Sequence, residues 1–598
     1  MNRRRLMLSA ALLAIATTAT LGQVPPVDLR VDPGADPGSV RIQWTGGDPM
    51  FELFRSSDPA TVTLAANEVG ETRLRSIGDD PPAGALWFYK VGTREPTILE
   101  AVTIEMTRPN GDPAGRALPI AAHWNPGRPS SGRPGWDPDF VMDYLDAGYP
   151  VIPAFYLWHP TFPREPASYY QRLERARDLG IPFSVVFTQW DRPFTDDPQY
   201  FDLPPAENPN VIDAADGTTI IGMTDPEGPI GPWQQAGTEW GQLDAVDEMM
   251  AIYPEPPLVL WVNNFEQPRL RWKNAETSWR FVQNHGAGTT SDEDKRRIVG
   301  NGWVARDGAL WNALRAELSN NWQEISIPVC YTAFGRGKYG NWSGWDSRSL
   351  HFDGRFSSWP RVVNGSPSYY VFGDATVHNE TDYQANSPHA VASNWNFILD
   401  EAYLDTPDYF WEFSLYDGGT QRHNWYRFVK TQFYDELRYK GYVRYGLWMS
   451  RPRVLREFRK SNEDRTPYVT YWEALLDAVL EVHTDPDLER FWRKGEVVPN
   501  PRPHHWQANL VPGYTDTEVD RNYILDADVN PAHPWANTDE IPVWALALVL
   551  GEAPNREWML FAYAPLAARP ATTITIPGYG DVTVDVPRGD GNFWFFAE

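Results

Sequence analysis

The sequence predicts an α/β protein in which a (β/α)8 TIM barrel is flanked by an N-terminal and a C-terminal β-sandwich. Three observations predict this fold class. From about residue 115 to about residue 450, short apolar runs alternate with longer amphipathic stretches, which is typical of βα units. Short alternating runs rich in turn residues precede this region, and a second set follows it. With 598 residues, the chain is long enough for several domains.

The first segment is predicted to be a signal peptide. Arg3, Arg4 and Arg5 precede the apolar stretch Leu6–Ala16 and then small residues, which is the layout of a secretory signal. We therefore expect export to the periplasm, the cell surface or the medium. The domains expected along the chain are 1–22 as signal peptide, 23–97 as N-terminal sandwich, 98–512 as barrel and 513–598 as C-terminal sandwich.

Residues 24–97 contain strand signals at the spacing of a sandwich, for example Ser39–Trp44, Phe51–Arg55 and Trp87–Val91. This order of an early strand with a Trp, a middle strand and a late Trp-Phe-Tyr-Lys-Val strand resembles a fibronectin type III module. The resemblance implies a module that spaces or binds rather than one that catalyses.

The middle region offers eight strand candidates with helical stretches between them, which favours a (β/α)8 barrel over its alternative, an open doubly wound sheet. No GxGxxG motif follows a strand, so the commonest nucleotide-binding version of the open sheet is excluded. The strand candidates are Leu118–His123, Pro150–Tyr156, Phe183–Phe187, Leu258–Val262, Val329–Ala333, Ser368–Phe372, Tyr409–Ser414 and Tyr442–Trp448. The helix candidates are Ser168–Leu179, Leu243–Ile252, Gly308–Leu318, Val391–Tyr403 and Trp425–Leu437.

The C-terminal region follows a Pro-rich linker at Val497–His505 and returns to short strands, which predicts a β-sandwich. Its strand candidates are Val543–Leu550, Glu557–Tyr563, Thr572–Ile576 and Asn592–Ala597.

Composition limits the partners. The formal charge of −26 disfavours nucleic acid and anionic membranes, and no window approaches the ~20 apolar residues of a membrane span. The 28 Trp exceed what a core usually needs, which favours stacking platforms for sugar rings, although packing in the core is the alternative for each of them. The single Cys330 excludes an intrachain disulfide.

Two carboxylates stand out among the residues that close the predicted strands. The fourth strand runs into Asn263, Asn264, Phe265 and Glu266, and the seventh contains Glu412 within an apolar run. Active sites of such barrels lie at the carboxyl ends of the strands, and an unpaired carboxylate inside an apolar strand is costly unless it faces a polar cleft. Glycoside cleavage requires two carboxyl groups, one as proton donor and one as nucleophile or base.

This arrangement resembles the large clan of retaining (β/α)8 glycoside hydrolases. The resemblance implies that Glu266 is the acid/base, that Glu412 is the nucleophile, and that Asn263 or Asn264 binds the sugar 2-hydroxyl. The clan commonly has Asn directly before the Glu, whereas Phe265 intervenes here. The alternative is that Glu266 caps a loop and Glu412 forms a structural ion pair with an arginine.

Other strand ends carry aromatic and polar residues that could line a sugar-binding cleft, with packing as the alternative for each. These expected substrate-binding residues are His123, Trp124, Trp158, His159, Trp190, Asn263, Asn264, Tyr331, Tyr370, Trp411 and Trp448. The sequence contains no HExxH, GxSxG or P-loop motif, which excludes metalloprotease, esterase and NTPase functions. We assign no metal site and no cofactor, and a structural calcium at Asp526, Asp528 and Asn530 stays open, although Pro531 replaces the Gly that such a loop needs.

The sequence therefore predicts a secreted glycoside hydrolase that cleaves a β-linked polysaccharide with retention. A carbohydrate-binding barrel without catalysis is the alternative. The arginines at 269, 271, 336, 451 and 453 could form a local anion site for a sulfated glycan or salt bridges around the barrel rim, so neutral and sulfated polymers both stay open. The oligomeric state is not predicted.

Overall fold

The structure is a computed structural model, and it describes the following residues: 28–33, 40–45, 51–57, 68–72, 76–79, 88–93, 97–123, 140–157, 168–188, 194, 198–201, 203–264, 269–270, 272–333, 364–370, 412–416, 436–458, 469–500, 523–529, 542–564 and 567–598. The predicted signal peptide lies outside them. The chain forms two compact units, 1–97 with 113–115, and 98–112 with 116–598.

The first unit contains two three-stranded antiparallel sheets. Its strands are β1 Asp28–Pro33, β2 Val40–Thr45, β3 Phe51–Ser56, β4 Glu68–Thr72, β5 Ser76–Asp79 and β6 Phe88–Thr93. One sheet has the order β1-β2-β5 and the other β4-β3-β6. Ile42 of the first sheet packs in one hydrophobic cluster with Leu53 and Val91 of the second. Strands β2, β3 and β6 lie where the sequence predicts strands.

The second unit is built around a parallel sheet. Its strands are β7 Ile120–His123, β8 Val151–Ile152, β9 Ala154–Leu157, β10 Phe183–Thr188, β13 Val259–Asn264, β14 Ser326–Ala333, β15 Asn364–Tyr370, β16 Glu412–Tyr416 and β17 Val454–Phe458. A separate hairpin, β11 Asn210–Ile212 and β12 Ile220–Thr224, lies between β10 and β13 in the chain.

Strand order in this sheet follows chain order. The order is β8-β7-β17-β16-β15-β14-β13-β10-β9, and every pair is parallel. Strands β8 and β9, at the two ends of this order, are separated in the chain only by Pro153, whose missing N–H interrupts the ladder. Because chain order is never reversed, there is no switch point of the kind that a doubly wound sheet has. The fold is TIM-barrel-like.

Helices alternate with these strands. They are α1 Ile98–Thr107, α2 Phe140–Asp146, α3 Ser168–Leu179, α4 Gly231–Gly241, α5 Asp244–Ile252, α6 Trp279–His285, α7 Asp292–Glu317, α8 Asn320–Ile325, α9 Glu436–Ser450, α10 Val469–Thr484 and α11 Pro486–Lys494. The predicted helix Gly308–Leu318 is the second half of the longer α7. The predicted helix Val391–Tyr403 lies outside the described residues, as does most of Trp425–Leu437.

The eighth predicted strand, Tyr442–Trp448, is wrong. These residues lie in α9, and the strand that pairs with β7 is β17, which begins six residues after Trp448. Helix α9 packs between α10 and the C-terminal sheet, where Tyr445 contacts Trp544 and Trp448 contacts Phe593. A helix that is buried on several sides reads as a continuous apolar run, and periodicity alone does not distinguish it from a buried strand.

The C-terminal region contains two antiparallel sheets, with orders β18-β20-β21-β24 and β19-β22-β23. Their strands are β18 Glu496–Val497, β19 Asp526–Ala527, β20 Trp544–Leu550, β21 Glu557–Tyr563, β22 Arg569–Ile576, β23 Gly580–Val586 and β24 Asn592–Ala597. Side chains of β20 alternate: Leu546 and Leu548 join the main core, whereas Ala545 and Ala547 join a second cluster shared with β22 and β23. The larger sheet is therefore buried on both faces.

Among the described helices, none is both long and apolar enough to cross a membrane.

Candidate active site

The parallel pairing brings the carboxyl ends of the barrel strands to one edge of the sheet. These ends are His123, Leu157, Thr188, Asn264, Ala333, Tyr370, Tyr416 and Phe458. In folds of this type, substrate-binding and catalytic residues come from the strand ends and from the loops that follow them. The expected site residues Trp124, Trp158, His159, Trp190, Glu266 and Trp411 lie outside the described residues.

The fourth barrel strand ends as the sequence predicts, in two asparagines. Asn263 pairs in register with Phe187 on one side and Cys330 on the other, and Asn264 pairs with Thr188. The proposed acid/base, Glu266, follows Asn264 by two residues in the sequence. The backbone therefore brings Asn263 and Asn264 to the carboxyl edge, and Glu266 lies outside the described residues.

The two tyrosines weighed as site residues lie on adjacent strands, β14 and β15. Tyr370 is the last residue of β15 and pairs in register with Tyr416, the last residue of β16. Tyr331 lies two residues before the end of β14 and pairs with Ser366. The backbone of both tyrosines is thus at or near the expected edge.

Glu412 lies away from the carboxyl end of its strand. The described part of β16 runs Glu412–Tyr416, and Glu412 pairs in register with Val454, the first residue of β17. The sequence predicts a strand Tyr409–Ser414 with Glu412 two residues before its end, whereas Glu412 lies four residues before Tyr416; residues 409–411 lie outside the described residues. The catalytic role of Glu412 stays a prediction.

Glu412 forms a bidentate ion pair with Arg456 of β17. Arg456 Nε donates to Glu412 Oε2 at 2.9 Å, and Nη2 donates to Oε1 at 2.5 Å. Both side chains are 0% exposed. Arg456 Nη1 also donates to the carbonyl oxygen of His123 at 2.9 Å and to Ser184 Oγ at 3.3 Å. One guanidinium therefore links β16, β17, β7 and β10. Because β10, which carries Ser184, is not a neighbour of β17 in the sheet order, the Arg456 side chain reaches Ser184 across the interior of the sheet.

His123 packs against a helix. Its ring is 1% exposed and meets Trp472 of α10 edge to face, with centroids 5.4 Å apart. In register, His123 pairs with Glu457, which is also fully buried, whereas the neighbouring Ala122 pairs with Arg456. Because successive residues of a strand point to opposite faces, His123 lies between the sheet and α10, on the side away from the Arg456 guanidinium.

Trp448 does not stand at a strand end. It lies in α9, is 0% exposed, and contacts Trp492 and Phe593 edge to face at centroid distances of 5.2 and 5.6 Å. The sequence analysis expects Trp448 at a sugar-binding edge because it predicts a strand Tyr442–Trp448, but these residues form part of helix α9. Trp448 is a residue of the core between α9, α11 and β24.

Three of the arginines considered for an anion site bind to other groups of the chain. Arg269 pairs with Asp307 at 3.2 Å. Arg451 Nη1 donates to the carbonyl oxygen of Gly495 at 2.5 Å, and Arg453 Nη2 donates to Asn110 Oδ1 at 2.6 Å. Arg451 and Arg453 precede β17, so they are on the amino side of that strand. Arg271 and Arg336 lie outside the described residues.

Sequence reasoning did not single out Arg456 or Ser184. The signal that could have found Arg456 is the run Val454-Leu455-Arg456-Glu457-Phe458, in which two opposite charges interrupt an apolar strand. Buried charges require partners, so such a strand predicts an ion pair somewhere in the core.

No protein-family model and no curated protein matches this chain. Among solved structures, Thermotoga maritima Cel5A in complex with a mannotriose substrate is similar at a TM-score of 0.31 and 10% identity over 60% of this chain and 97% of that one. A GH5-4 broad-specificity endoglucanase from Clostridium longisporum has a TM-score of 0.30 and 10% identity over 65% of this chain and 100% of that one. A GH36 alpha-galactosidase from Geobacillus stearothermophilus in complex with raffinose has a TM-score of 0.23 and 9% identity over 96% and 71%. At such scores the likeness assigns neither a family nor an activity, and the fold rests on the strand pairing described above.

Proposed function

We propose that this chain is an exported glycoside hydrolase that cleaves a β-linked polysaccharide at the carboxyl edge of a closed (β/α)8 barrel. The observation that carries the proposal is the end of β13 at Asn264, two residues before Glu266, on the edge where barrel enzymes hold their catalytic groups. Closure is supported by β8 and β9, which act as one strand interrupted at Pro153 and pair with β7 and β10.

In this proposal Glu266 is the general acid and then the general base. It protonates the glycosidic oxygen as the bond to the anomeric carbon breaks, and it later removes a proton from the attacking water. Trp158 and Trp190, which follow β9 and β10 in the sequence, supply faces on which sugar rings stack. Of the two asparagines at the end of β13, Asn264 directly precedes Phe265 and Glu266 in the sequence. In this proposal the Asn264 side-chain amide binds the sugar 2-hydroxyl.

Retention requires a carboxylate nucleophile, for which Glu412 is the candidate from the clan resemblance. Both oxygens of its carboxylate accept hydrogen bonds from the Arg456 guanidinium, and the side chain has no exposed surface. An anomeric carbon reaches Glu412 only after one of these bonds opens. The nucleophile assignment is therefore a separate prediction from the activity itself.

The activity is tested by a reducing-end assay on a panel of neutral and sulfated polysaccharides, with Glu266→Gln beside the wild type. We expect new reducing ends from one polymer and a loss of at least 100-fold in kcat for Glu266→Gln. Glu255→Gln is the matched control, because Glu255 is an exposed glutamate on the amino side of the same strand, β13. Equal activity of Glu266→Gln and the control would contradict the role of Glu266.

The nucleophile assignment is tested by Glu412→Ala with added azide. If Glu412 is the nucleophile, azide attacks the anomeric carbon in its place, the glycosidic C–O bond breaks, and Glu266 protonates the leaving oxygen, so that a glycosyl azide accumulates. A folded Glu412→Ala variant that retains wild-type turnover, or that is inactive and forms no glycosyl azide, would contradict the assignment. Near-ultraviolet circular dichroism checks that the variant is folded.

A second candidate function is glycan capture without catalysis. The observation that favours it is the ion pair in which both carboxylate oxygens of Glu412 accept hydrogen bonds from Arg456. In that ion pair the carboxylate proposed as nucleophile is occupied by another residue of the sheet. A binding protein of this kind would be retarded on an affinity gel that contains its polysaccharide and would release no reducing ends from it.

The flanking regions are proposed to be accessory β-sandwiches. In the first unit the two sheets share the cluster of Ile42, Leu53 and Val91, and this supports a β-sandwich. The fibronectin type III-like interpretation of residues 23–97 stays a prediction from the sequence. The two C-terminal sheets share a cluster in the same way. Export is proposed from the segment Arg3–Ala16, and N-terminal sequencing of the mature secreted protein tests it.

A further inference from the structure

The chain is fixed again five residues after the end of β13. Arg269 forms a parallel β-bridge with Thr224, the last residue of β12, and Leu270 N donates to the carbonyl oxygen of Thr224 at 3.0 Å. Four residues, 265–268, separate Asn264 from Arg269, and the proposed acid/base Glu266 is one of them. The chain is thus fixed by the barrel sheet at Asn264 and by the β11–β12 hairpin at Arg269, on either side of Glu266 in the sequence.

The Arg269 side chain anchors the second end. It is 5% exposed, and its Nη2 and Nη1 donate to Asp307 Oδ1 and Oδ2 of α7 at 3.2 and 3.4 Å. The guanidinium also lies 4.5 Å from the ring centroid of Trp303 and 5.2 Å from that of Trp233. A planar cation that contacts two indole rings and a carboxylate has few alternative positions.

The surrounding elements are tightly packed. Trp303 Nε1 donates to the carbonyl oxygen of Leu270 at 3.3 Å, so α7 holds the backbone next to Arg269 as well as its side chain. A Cβ atom added at Gly302 of α7 would lie 2.3 Å from the carbonyl oxygen of Pro226, which shows how closely this helix approaches the chain that follows β12. The anchor therefore sits on a rigid base.

We propose that Arg269 and Asp307 are positioning residues for Glu266, because they fix the chain three residues after this proposed acid/base. The catalytic part of this inference rests on the proposed function. Displacing a catalytic group by about 1 Å costs on the order of 100-fold in rate, so an anchor this close in the chain to the general acid acts on kcat. Substrate does not touch either residue in this scheme, so KM changes little.

Asp307→Asn tests the proposal, with Asp294→Asn as the matched control. Both residues lie on α7, but Asp294 pairs with Arg297 at the surface, with about half of each side chain exposed. Hydrogen exchange of the peptide that covers residues 259–272 is the first readout and needs no substrate. We expect at least tenfold faster exchange in Asp307→Asn, wild-type exchange in the control, and unchanged exchange in the β20–β21 hairpin of both.

The second readout is kinetics on the polymer identified in the reducing-end assay. We expect kcat to fall by about 10- to 100-fold in Asp307→Asn, with KM within about twofold, because positioning affects the transition state more than ground-state binding. Arg269→Lys keeps the charge but loses the two-pronged hydrogen bond, so its kcat should lie between that of the wild type and that of Arg269→Met.

The outcomes separate the two proposals. Unchanged exchange of residues 259–272 in Asp307→Asn would overturn the anchor, whatever the activity. Faster local exchange with unaltered kcat would overturn its positioning role in catalysis. A wild-type protein that cleaves no polymer would overturn the proposed function, and the exchange experiment would still decide whether Arg269 and Asp307 fix the segment. If Asp307→Asn does not fold, Arg269→Lys carries the same two readouts.

Discussion

Replacing Glu412 by Gln removes the carboxylate that forms a bidentate ion pair with the buried guanidinium of Arg456. In the wild type, two hydrogen bonds of 2.9 and 2.5 Å join the pair, and neither side chain has exposed surface. The amide of Gln keeps one acceptor but turns its NH2 group toward an Arg456 donor, so one charge-assisted bond becomes a contact between two donors. Removing one partner of such a buried pair typically costs about 3–5 kcal/mol, and we expect the free energy of unfolding to fall by that amount.

Urea unfolding followed by tryptophan fluorescence measures this effect. Arg456→Met should cost a similar amount, and the double variant Glu412→Gln/Arg456→Met should lose less than the sum of the two singles by at least about 2 kcal/mol, since both single variants lose the same ion pair. Asp294→Asn, which disrupts an exposed pair, should leave the unfolding midpoint unchanged. Additive single effects, or singles within about 1 kcal/mol of wild type, would refute the view that this pair is a structural link of the sheet interior.

Further predictions concern helix packing and pH. In α4, Gly237→Ala should destabilise the protein by about 1–3 kcal/mol in spite of the better helix propensity of Ala, because the new Cβ would lie 2.1 Å from the carbonyl oxygen of Leu310. Gly231→Ala in the same helix meets nothing within 4 Å and should be neutral or stabilising; equal thermal midpoints for the two variants would contradict the close helix crossing. Burial lowers the pKa of His483, whose Nε2–H donates to the carbonyl oxygen of Pro119 at 2.8 Å. Below its ordinary value of 6.5 the unfolded chain binds this proton and the folded chain does not, so stability falls as the pH drops from 7 to 5. His483→Asn should show a shallower fall in the urea midpoint over this range, and an unchanged slope would count against this burial effect.

The sequence predicted the strands whose apolar runs are short and bounded by turn residues. It failed for Tyr442–Trp448 because α9 is buried from more than one direction, which removes the polar face that would have marked a helix. It ended the strand of Glu412 at Ser414, whereas pairing of Tyr416 with Tyr370 and Phe458 continues the strand to Tyr416, and that pairing is not visible locally. The ion-pair alternative for Glu412 could be stated but not assigned to a partner, because Arg456 is 44 residues further along the chain.

The same limit applies to the contacts of Arg269 with Asp307, Trp303 and Trp233. The sequence shows that Arg269 is close to Glu266, but Asp307 is 38 residues away and Trp233 lies on another helix. The sequence offered a sulfate-binding role and a salt-bridge role for this arginine. Only the packing of α4 against α7 shows that the guanidinium is enclosed and paired inside the protein.

The most direct test of the central claim is the release of reducing ends from a panel of neutral and sulfated polysaccharides by the secreted protein, run beside Glu266→Gln and Glu255→Gln. The account predicts new ends from one class of polymer with wild type and Glu255→Gln, and a loss of at least 100-fold with Glu266→Gln. Retention of a polymer on an affinity gel without any new ends would contradict hydrolysis and establish the chain as a glycan-binding barrel.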